Sequence, residues 1–178
     1  MIKTLGNAVF FQLGWWIAIL SAGRGQPWLA PPVLGGLLAV NIWNASQPRA
    51  MTLVVLVIGS AGLLLDSGLT ALGLLRFGDH PFAPWLCPPW LCALWYLFAT
   101  TLHHSLRWLE GRSWLAALLG GMAGPVSYGA GQAFGALTLG PTDALALLLL
   151  ALLWAGLLPL FVQTAARIHG SAAAGRLR

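Results

Sequence analysis

The chain has 178 residues, of which 58% are hydrophobic and 7% are charged, with a formal net charge of +5. A soluble domain carries about 25% charged residues, so the composition excludes a soluble single domain and a disordered chain. The single lysine and the eight arginines are spread between apolar runs without forming a basic patch, which also excludes nucleic acid as a partner. A membrane-spanning protein remains, because so apolar a surface needs lipid as its solvent.

The charged residues divide the chain into apolar runs, each close to the roughly 20 residues that a transmembrane helix needs. They do not alternate between apolar and polar residues, as the strands of a membrane barrel would. The sequence therefore predicts one all-α domain over residues 1–178, a polytopic integral membrane bundle of six transmembrane helices. The predicted spans are 4–23, 30–47, 50–73, 84–106, 113–136 and 143–166.

The basic residues predict the orientation of this bundle. With six spans, Arg24 and Arg76 fall on one side of the membrane. The side that holds both termini carries Lys3, Arg49, Arg107, Arg112, Arg167, Arg176 and Arg178. Since basic loops face the cytoplasm, both termini are predicted to be cytoplasmic.

Asp66 is the acid placed deepest in a predicted span. It lies fifteen residues beyond Met51 on the third span, about 22 Å from the cytoplasmic end at 1.5 Å per residue. An ionised carboxylate there costs about 2.5–3.5 kcal/mol unless it is paired or protonated. Residues at a similar height complete a predicted outer-half polar cluster: Asp66, Ser67, Ser127, Tyr128 and Gln132. Two interpretations stay open, a substrate, proton or catalytic role and a hydrogen bond that only joins helices.

A second polar group is predicted near the cytoplasmic ends of the spans: Gln12, Asn41, Asn44, His103, His104 and Ser105. Adjacent histidines point about 100° apart on a helix, so at most one of the two faces a given neighbour. The chain lacks the separated histidine clusters of a di-metal membrane enzyme, and neither a metal nor a cofactor is predicted. This group could bind a headgroup, bind a metal weakly or shuttle protons. Alternatively, headgroups and backbone satisfy its side chains at the interface.

Two cysteines occur close together in the segment Cys87-Pro88-Pro89-Trp90-Leu91-Cys92. A spacing of five puts them on different faces of a helix. They can meet only if the two prolines keep this stretch from being helical. No metal or redox spacing accompanies them, so both are predicted to be packing residues.

Five segments pair polar residues with particular apolar surroundings: 11–16, 64–67, 95–102, 105–109 and 124–131. With Gln12, Asp66, Ser105, Ser127 and Tyr128 in them, they resemble the bacterial inner-membrane family Domain of Unknown Function 2878 over nearly the whole chain. That resemblance implies a bacterial inner membrane but no established activity. Members of the family often accompany enzymes that modify fatty acyl chains of phospholipids, which implies a connection with lipid.

Three functions are weighed as expectations. The preferred one is an accessory or lipid-binding subunit in fatty acyl modification, with membrane lipid as ligand and a lipid-modifying protein as partner. The alternative is a small proton- or solute-coupled transporter or flippase that uses Asp66. An enzyme with Asp66 as acid or base is disfavoured, because the sequence offers no nucleophile–base pair.

Overall fold

The computed structural model describes residues 2–83, 85–140 and 142–174. In these residues six α-helices follow one another: α1 (Ile2–Gly23), α2 (Ala30–Trp43), α3 (Pro48–Ala71), α4 (Pro89–Thr101), α5 (Ser113–Ala133) and α6 (Asp143–Ala174). The connections contain two 3-10 helices, Pro27–Leu29 and Arg107–Leu109, and two strands, β1 (Leu75–Arg76) and β2 (Thr138–Leu139). The all-helical prediction is confirmed for the described residues, apart from this one pair of strands.

The helices run alternately up and down the bundle. β1 and β2 pair antiparallel, with Leu75 opposite Leu139, and so join the α3–α4 connection to the α5–α6 connection. We call this end of the bundle the sheet end. The first turns of α1 and the last turns of α6 lie at the other end, which we call the termini end, because Asn7 contacts Asn41 and His103 contacts His169 there.

Three described helices are long and apolar enough to cross a membrane: Thr4–Gly23, Pro48–Ala71 and Asp143–Ala172. On α3 and α6, large apolar side chains are exposed at helical spacing, so each helix presents an outward apolar stripe. The stripes consist of Leu53, Leu56, Val57 and Leu64 on α3, and Leu145, Leu148, Leu149, Leu152 and Leu160 on α6. An apolar surface this extensive indicates association with a membrane.

The ends of α3 and α5 lie two to three residues before the predicted ends of the third and fifth spans. In both helices a glycine with positive φ follows, Gly73 at 72° and Gly135 at 76°. The N–H group of Leu74 bonds to Leu69 O, and that of Ala136 bonds to Gly131 O. Both helices therefore end in a glycine C-cap, which needs the left-handed conformation that glycine adopts without strain.

Three helices differ more from their predicted spans. α2 and α4 have 14 and 13 residues, whereas 30–47 and 84–106 were predicted. α4 begins only at Pro89 because Pro88 keeps an extended backbone, with ψ at 152°, and proline fits the first helical position. α6 has 32 residues and continues to Ala174, since the residues after 166 are mostly good helix formers.

α4 is the central helix of the bundle. It packs against α1, α2 and α3, and eight of its 13 residues are buried. α5 and α6 form a tightly packed antiparallel pair beside it. A Cβ atom on Gly120 would overlap the carbonyl oxygen of Trp154, and one on Gly124 would overlap the Trp154 side chain. Small residues on α5 thus let the two backbones approach closely.

Candidate functional site

Trp95 of α4 reaches Asp66 because α3 has a glycine where the two helices meet. A Cβ atom on Gly62 would overlap the Trp95 indole. Gly62 lies one helical turn before Asp66 on the same face, so the indole that fills this space lies beside the carboxylate. On its other side the indole stacks on Trp154 of α6, with ring centroids 5.3 Å apart and planes inclined by 7°.

Asp66 is fully buried, and each of its carboxylate oxygens accepts a hydrogen bond from another helix. Tyr128 Oη on α5 donates to Oδ1 at 2.6 Å, and Trp95 Nε1 on α4 donates to Oδ2 at 2.6 Å. α3 ends five residues later, at Ala71, so the carboxylate lies about 8 Å from the sheet end of that helix. Asp66 therefore joins α3, α4 and α5.

The two serines of the predicted outer-half cluster lie outside this contact. Ser67 Oγ donates to Leu63 O at 2.7 Å and accepts a hydrogen bond from the Cys87 N–H group at 3.0 Å. Ser67 thus ties the α3–α4 connection to α3. Ser127 is half-buried, and within the described residues no hydrogen bond joins it to Asp66.

Gln132 has a different structural position near the sheet end. Its Nε2 atom donates to Asp143 Oδ2 at 2.7 Å, and its Oε1 atom accepts a hydrogen bond from the Leu139 N–H group at 2.6 Å. Gln132 therefore links α5 to β2 and to the first turn of α6. Of the five predicted residues, the structure brings only Asp66 and Tyr128 together.

The geometry around Asp66 favours the joining of helices over transport. Both carboxylate oxygens have partners, the side chain is 0% exposed, and Asp66 lines neither of the two cavities found at the ends of the bundle. A group that exchanges protons or binds a solute needs a path to water or ligand. Asp66 has no exposed surface for such a contact, and Tyr128 and Trp95 occupy its two oxygens.

A second buried polar network lies at the termini end, around Asn7 of α1. Asn7 Nδ2 donates to Asn41 Oδ1 at 2.9 Å and to Thr100 Oγ1 at 2.8 Å, and Ser105 Oγ donates to Asn7 Oδ1 at 2.8 Å. Asn7 is 2% exposed, and Asn41 and Thr100 are also buried. The network joins α1, α2 and α4 with all four amide and hydroxyl groups bonded, as buried polar groups require.

The other residues of the predicted second group are dispersed. Gln12 is exposed on α1, because it is five residues from Asn7 and so lies on a different helical face. Asn44 is exposed and donates to its own helix, to Val40 O at 2.9 Å. His104 is half-buried, with its ring 4.9 Å from that of His103. The structure thus gathers Asn41 and Ser105 in one network and His103 in another.

His103 forms a buried pair with His169 of α6, in which His103 Nδ1 and His169 Nε2 share a hydrogen bond. Beside this pair is a cavity of about 230 Å³, the termini-end pocket. The α2–α3 connection, the α4–α5 connection and α6 all contribute to its wall. The residues that line it are Ser46, Gln47, His103, Arg107, Glu110, Ala166, His169 and Gly170.

Three buried polar atoms of the termini-end pocket have no hydrogen-bond partner among the described residues: Gln47 Oε1, Glu110 Oε1 and His169 Nδ1. Glu110 Oε1 does form an ion pair with Arg107 Nε at 3.3 Å, and His169 Nδ1 lies 3.9 Å from it. Buried polar atoms without partners cost free energy. Their grouping around one cavity points to a polar ligand there.

The cavity at the sheet end is larger, about 370 Å³, and more apolar. Arg76, Phe77, His80 and Trp85 are among its lining residues. Burial lowers the pKa of the His80 imidazole, and the nearby Asp79 carboxylate opposes that shift. His80 Nδ1 has no partner in the described part of the chain, but it is the one such atom in this cavity.

Some residues of these networks were not predicted. Asn7 lies on the same predicted span as Gln12, and their different helical phase makes Asn7 buried and Gln12 exposed. His169 follows the predicted span 143–166 and so falls on the same side of the membrane as His103, which is the signal that could have found their pairing. Trp95 gave no signal as a donor, because an aromatic residue deep in a span is more often a packing residue.

No three histidine, cysteine, aspartate or glutamate side chains stand close enough to hold a metal ion in residues 2–83, 85–140 and 142–174. The fold and the two networks instead define an all-helical, membrane-associated protein whose helices are joined by buried hydrogen bonds. The chain matches the family model described as Protein of unknown function (DUF2878) over residues 4–160 and belongs to that family. No curated protein and no solved structure matches it.

Proposed function

We propose that this is a six-span bacterial inner-membrane protein that binds a phospholipid headgroup in the termini-end pocket. It acts as a lipid-binding accessory subunit beside an enzyme that modifies fatty acyl chains. The pocket supports the lipid-binding part of the proposal. The partner enzyme and its acyl substrate rest on the family resemblance alone.

Charge and aromatic residues at the two ends support six spans with cytoplasmic termini. The termini end carries four described arginines, Arg49, Arg107, Arg112 and Arg167, and the sheet end carries Arg24 and Arg76. Exposed tryptophans occur at both ends, as in an interfacial belt: Trp43, Trp108 and Trp114 at one end, Trp28 and Trp85 at the other.

The short α4 also fits a six-span arrangement. Its 13 residues extend about 20 Å, less than the roughly 30 Å of a hydrocarbon core. Irregular backbone is tolerated at membrane depth where other protein surrounds it. The helices around α4 bury most of its residues, so this short helix is surrounded mainly by protein.

The observation that carries the lipid proposal is the set of polar groups around Arg107. The guanidinium group suits a phosphate. Gln47 Oε1 has no donor, Glu110 Oε1 has only its ion pair with Arg107, and an ammonium group supplies three donors. A zwitterionic headgroup that contains a phosphate and a primary ammonium group, as in phosphatidylethanolamine, suits both the Arg107 guanidinium and the acceptor oxygens of Gln47 and Glu110. A cavity of about 230 Å³ is smaller than the 300–1,000 Å³ of drug-sized sites and suits a headgroup.

Native mass spectrometry of protein extracted in mild detergent tests this function. We expect retained phosphatidylethanolamine on the wild-type chain, and several-fold lower occupancy for Arg107→Gln than for Arg112→Gln. Arg112 is the matched control, since it is an exposed arginine of the same connection outside the pocket. Glu110→Gln should weaken phosphatidylethanolamine and leave phosphatidylglycerol unaffected, because only the former carries an ammonium group. Equal lipid occupancy in both arginine variants would overturn the proposal.

Orientation and partnership are tested separately. A fluorescent protein fused after Arg178 should fluoresce, and alkaline phosphatase fused at Gly78 in the α3–α4 connection should be active, because the two sites lie on opposite faces. The reverse pattern rejects the orientation. Affinity purification should recover an acyl-modifying enzyme with wild-type protein. Recovery of the chain with lipid but without such an enzyme rejects only the accessory role.

A further inference from the structure

The segment that leads into α4 brings two cysteines together. Because Pro88 is extended and α4 begins at Pro89, Cys87 lies outside the helix and folds back over its first turn. The two Sγ atoms are 3.3 Å apart, and Cys92 Sγ also lies 3.4 Å from Cys87 O. The condition for their contact, that the prolines interrupt the helix, is met. Both residues are free thiols in this structure.

The surroundings of the two thiols differ. Cys87 is 0% exposed and is held on α3, where its N–H group donates to Ser67 Oγ at 3.0 Å and its Sγ lies 3.9 Å from Leu63 O. Cys92 is half-buried and is the more accessible of the two thiols. One accessible thiol in front of one buried thiol is the arrangement that thiol–disulfide exchange needs.

We propose that Cys87 and Cys92 form a reversible disulfide and are a thiol–disulfide exchange site for a disulfide-bearing partner at the sheet end. The Cys92 thiolate attacks one sulfur of the partner's disulfide, the sulfur–sulfur bond breaks, and the other sulfur leaves as a thiol after taking up a proton. The Cys87 thiolate then attacks Cys92 Sγ, and the partner's second sulfur leaves in the same way. The cysteine pair is oxidised by two electrons, and the partner's disulfide is reduced to two thiols.

This inference goes beyond lipid binding and does not depend on the termini-end pocket. The disulfide would close a loop of only a few residues, and short loops gain the least stability from a disulfide, so the bond is readily reduced again. In the proposed orientation the sheet end faces the periplasm, where disulfides form and persist.

The test treats the folded, detergent-solubilised protein with a dipyridyl disulfide, which releases one coloured thiopyridone for each thiolate that attacks it. For the wild-type chain we expect two thiopyridones per chain, a mass lower by two hydrogens and no retained adduct. The variant Cys87→Ser should release one thiopyridone and keep a thiopyridyl adduct, since it lacks the second thiol. The variant Cys92→Ser should react at least tenfold more slowly, because Cys87 is buried.

A wild-type mass that rises by one or two thiopyridyl groups overturns the proposal, because it shows that the thiols do not resolve each other. Two thiols that remain free to react with maleimide after the treatment also overturn it. The wild-type result needs no substitution, so a variant that fails to fold does not affect it.

Discussion

The hydrogen bond between Asp66 and Tyr128 can be measured with a double-mutant cycle. The variant Asp66→Asn places an amide N–H group opposite one of the two donors that now meet the carboxylate. A buried donor left without an acceptor costs about 1–3 kcal/mol. The variant Tyr128→Phe removes one donor and leaves the bond from Trp95. Interhelical hydrogen bonds in membranes contribute about 0.6 kcal/mol on average and about 1.7 at most.

We therefore expect single-variant losses of about 1–3 kcal/mol for Asp66→Asn and about 0.6–1.7 kcal/mol for Tyr128→Phe. The coupling energy between the two sites should also be about 0.6–1.7 kcal/mol. At the upper limit this is roughly an eighteenfold change in the equilibrium constant for unfolding. The assay is reversible unfolding in mixed micelles with increasing dodecyl sulfate, followed by the fluorescence of the ten tryptophans.

The matched control is the pair Gln132 and Asp143, which is joined at 2.7 Å but is exposed. Asp143→Asn, Gln132→Ala and their double variant should show a coupling energy near zero, since water replaces a lost exposed bond. If the losses of unfolding free energy for Asp66→Asn and Tyr128→Phe sum to the loss for the double variant within about 0.3 kcal/mol, the two side chains do not stabilise each other. The helix-joining role of Asp66 would then be refuted.

Two further substitutions follow from the packing, with the same unfolding assay. Asn7→Ala should cost about 1–3 kcal/mol because it leaves buried polar partners unbonded, whereas Gln12→Ala on the exposed face of the same helix should change stability by less than about 0.5 kcal/mol; equal effects would contradict the network. Gly62→Ala should destabilise by about 1–3 kcal/mol because its Cβ meets the Trp95 indole. Gly68→Ala, where the space is open, should be neutral or stabilising. An unchanged stability for Gly62→Ala would show that the indole can move aside without loss.

The sequence predicted the helices well where apolar runs and glycine ends coincide. The runs that became α1, α3 and α5 are bounded by basic residues or by glycines that cap the helix, and these signals are local. α2 and α4 are shorter than their predicted spans, because uncharged residues continue beyond those that are helical. The absence of charge cannot distinguish a helix from an uncharged turn such as the one after Thr101.

For the candidate sites, the sequence predicted how deep a polar residue lies along its helix, but not which face of the helix it is on. Asp66 and Tyr128 were matched by height, and they contact each other. Gln132 is one helical turn from Tyr128 and yet bonds to Asp143, because the chain turns back into β2 beside it. The termini-end pocket could not be predicted, since it needs the length of α6 and the fold of the α4–α5 connection to bring His169, Arg107 and Glu110 together.

The close pairing of α5 with α6 has a consequence for how the protein assembles. These two helices pack on each other more extensively than either packs on the other four, so they can insert as a preformed hairpin that docks in a later step. The termini-end pocket takes Gln47 from the first four helices and His169 from the hairpin. It is therefore complete only after docking, and the proposed lipid would stabilise the docked state by mass action. Lipid supply would then control how much of the protein is fully assembled.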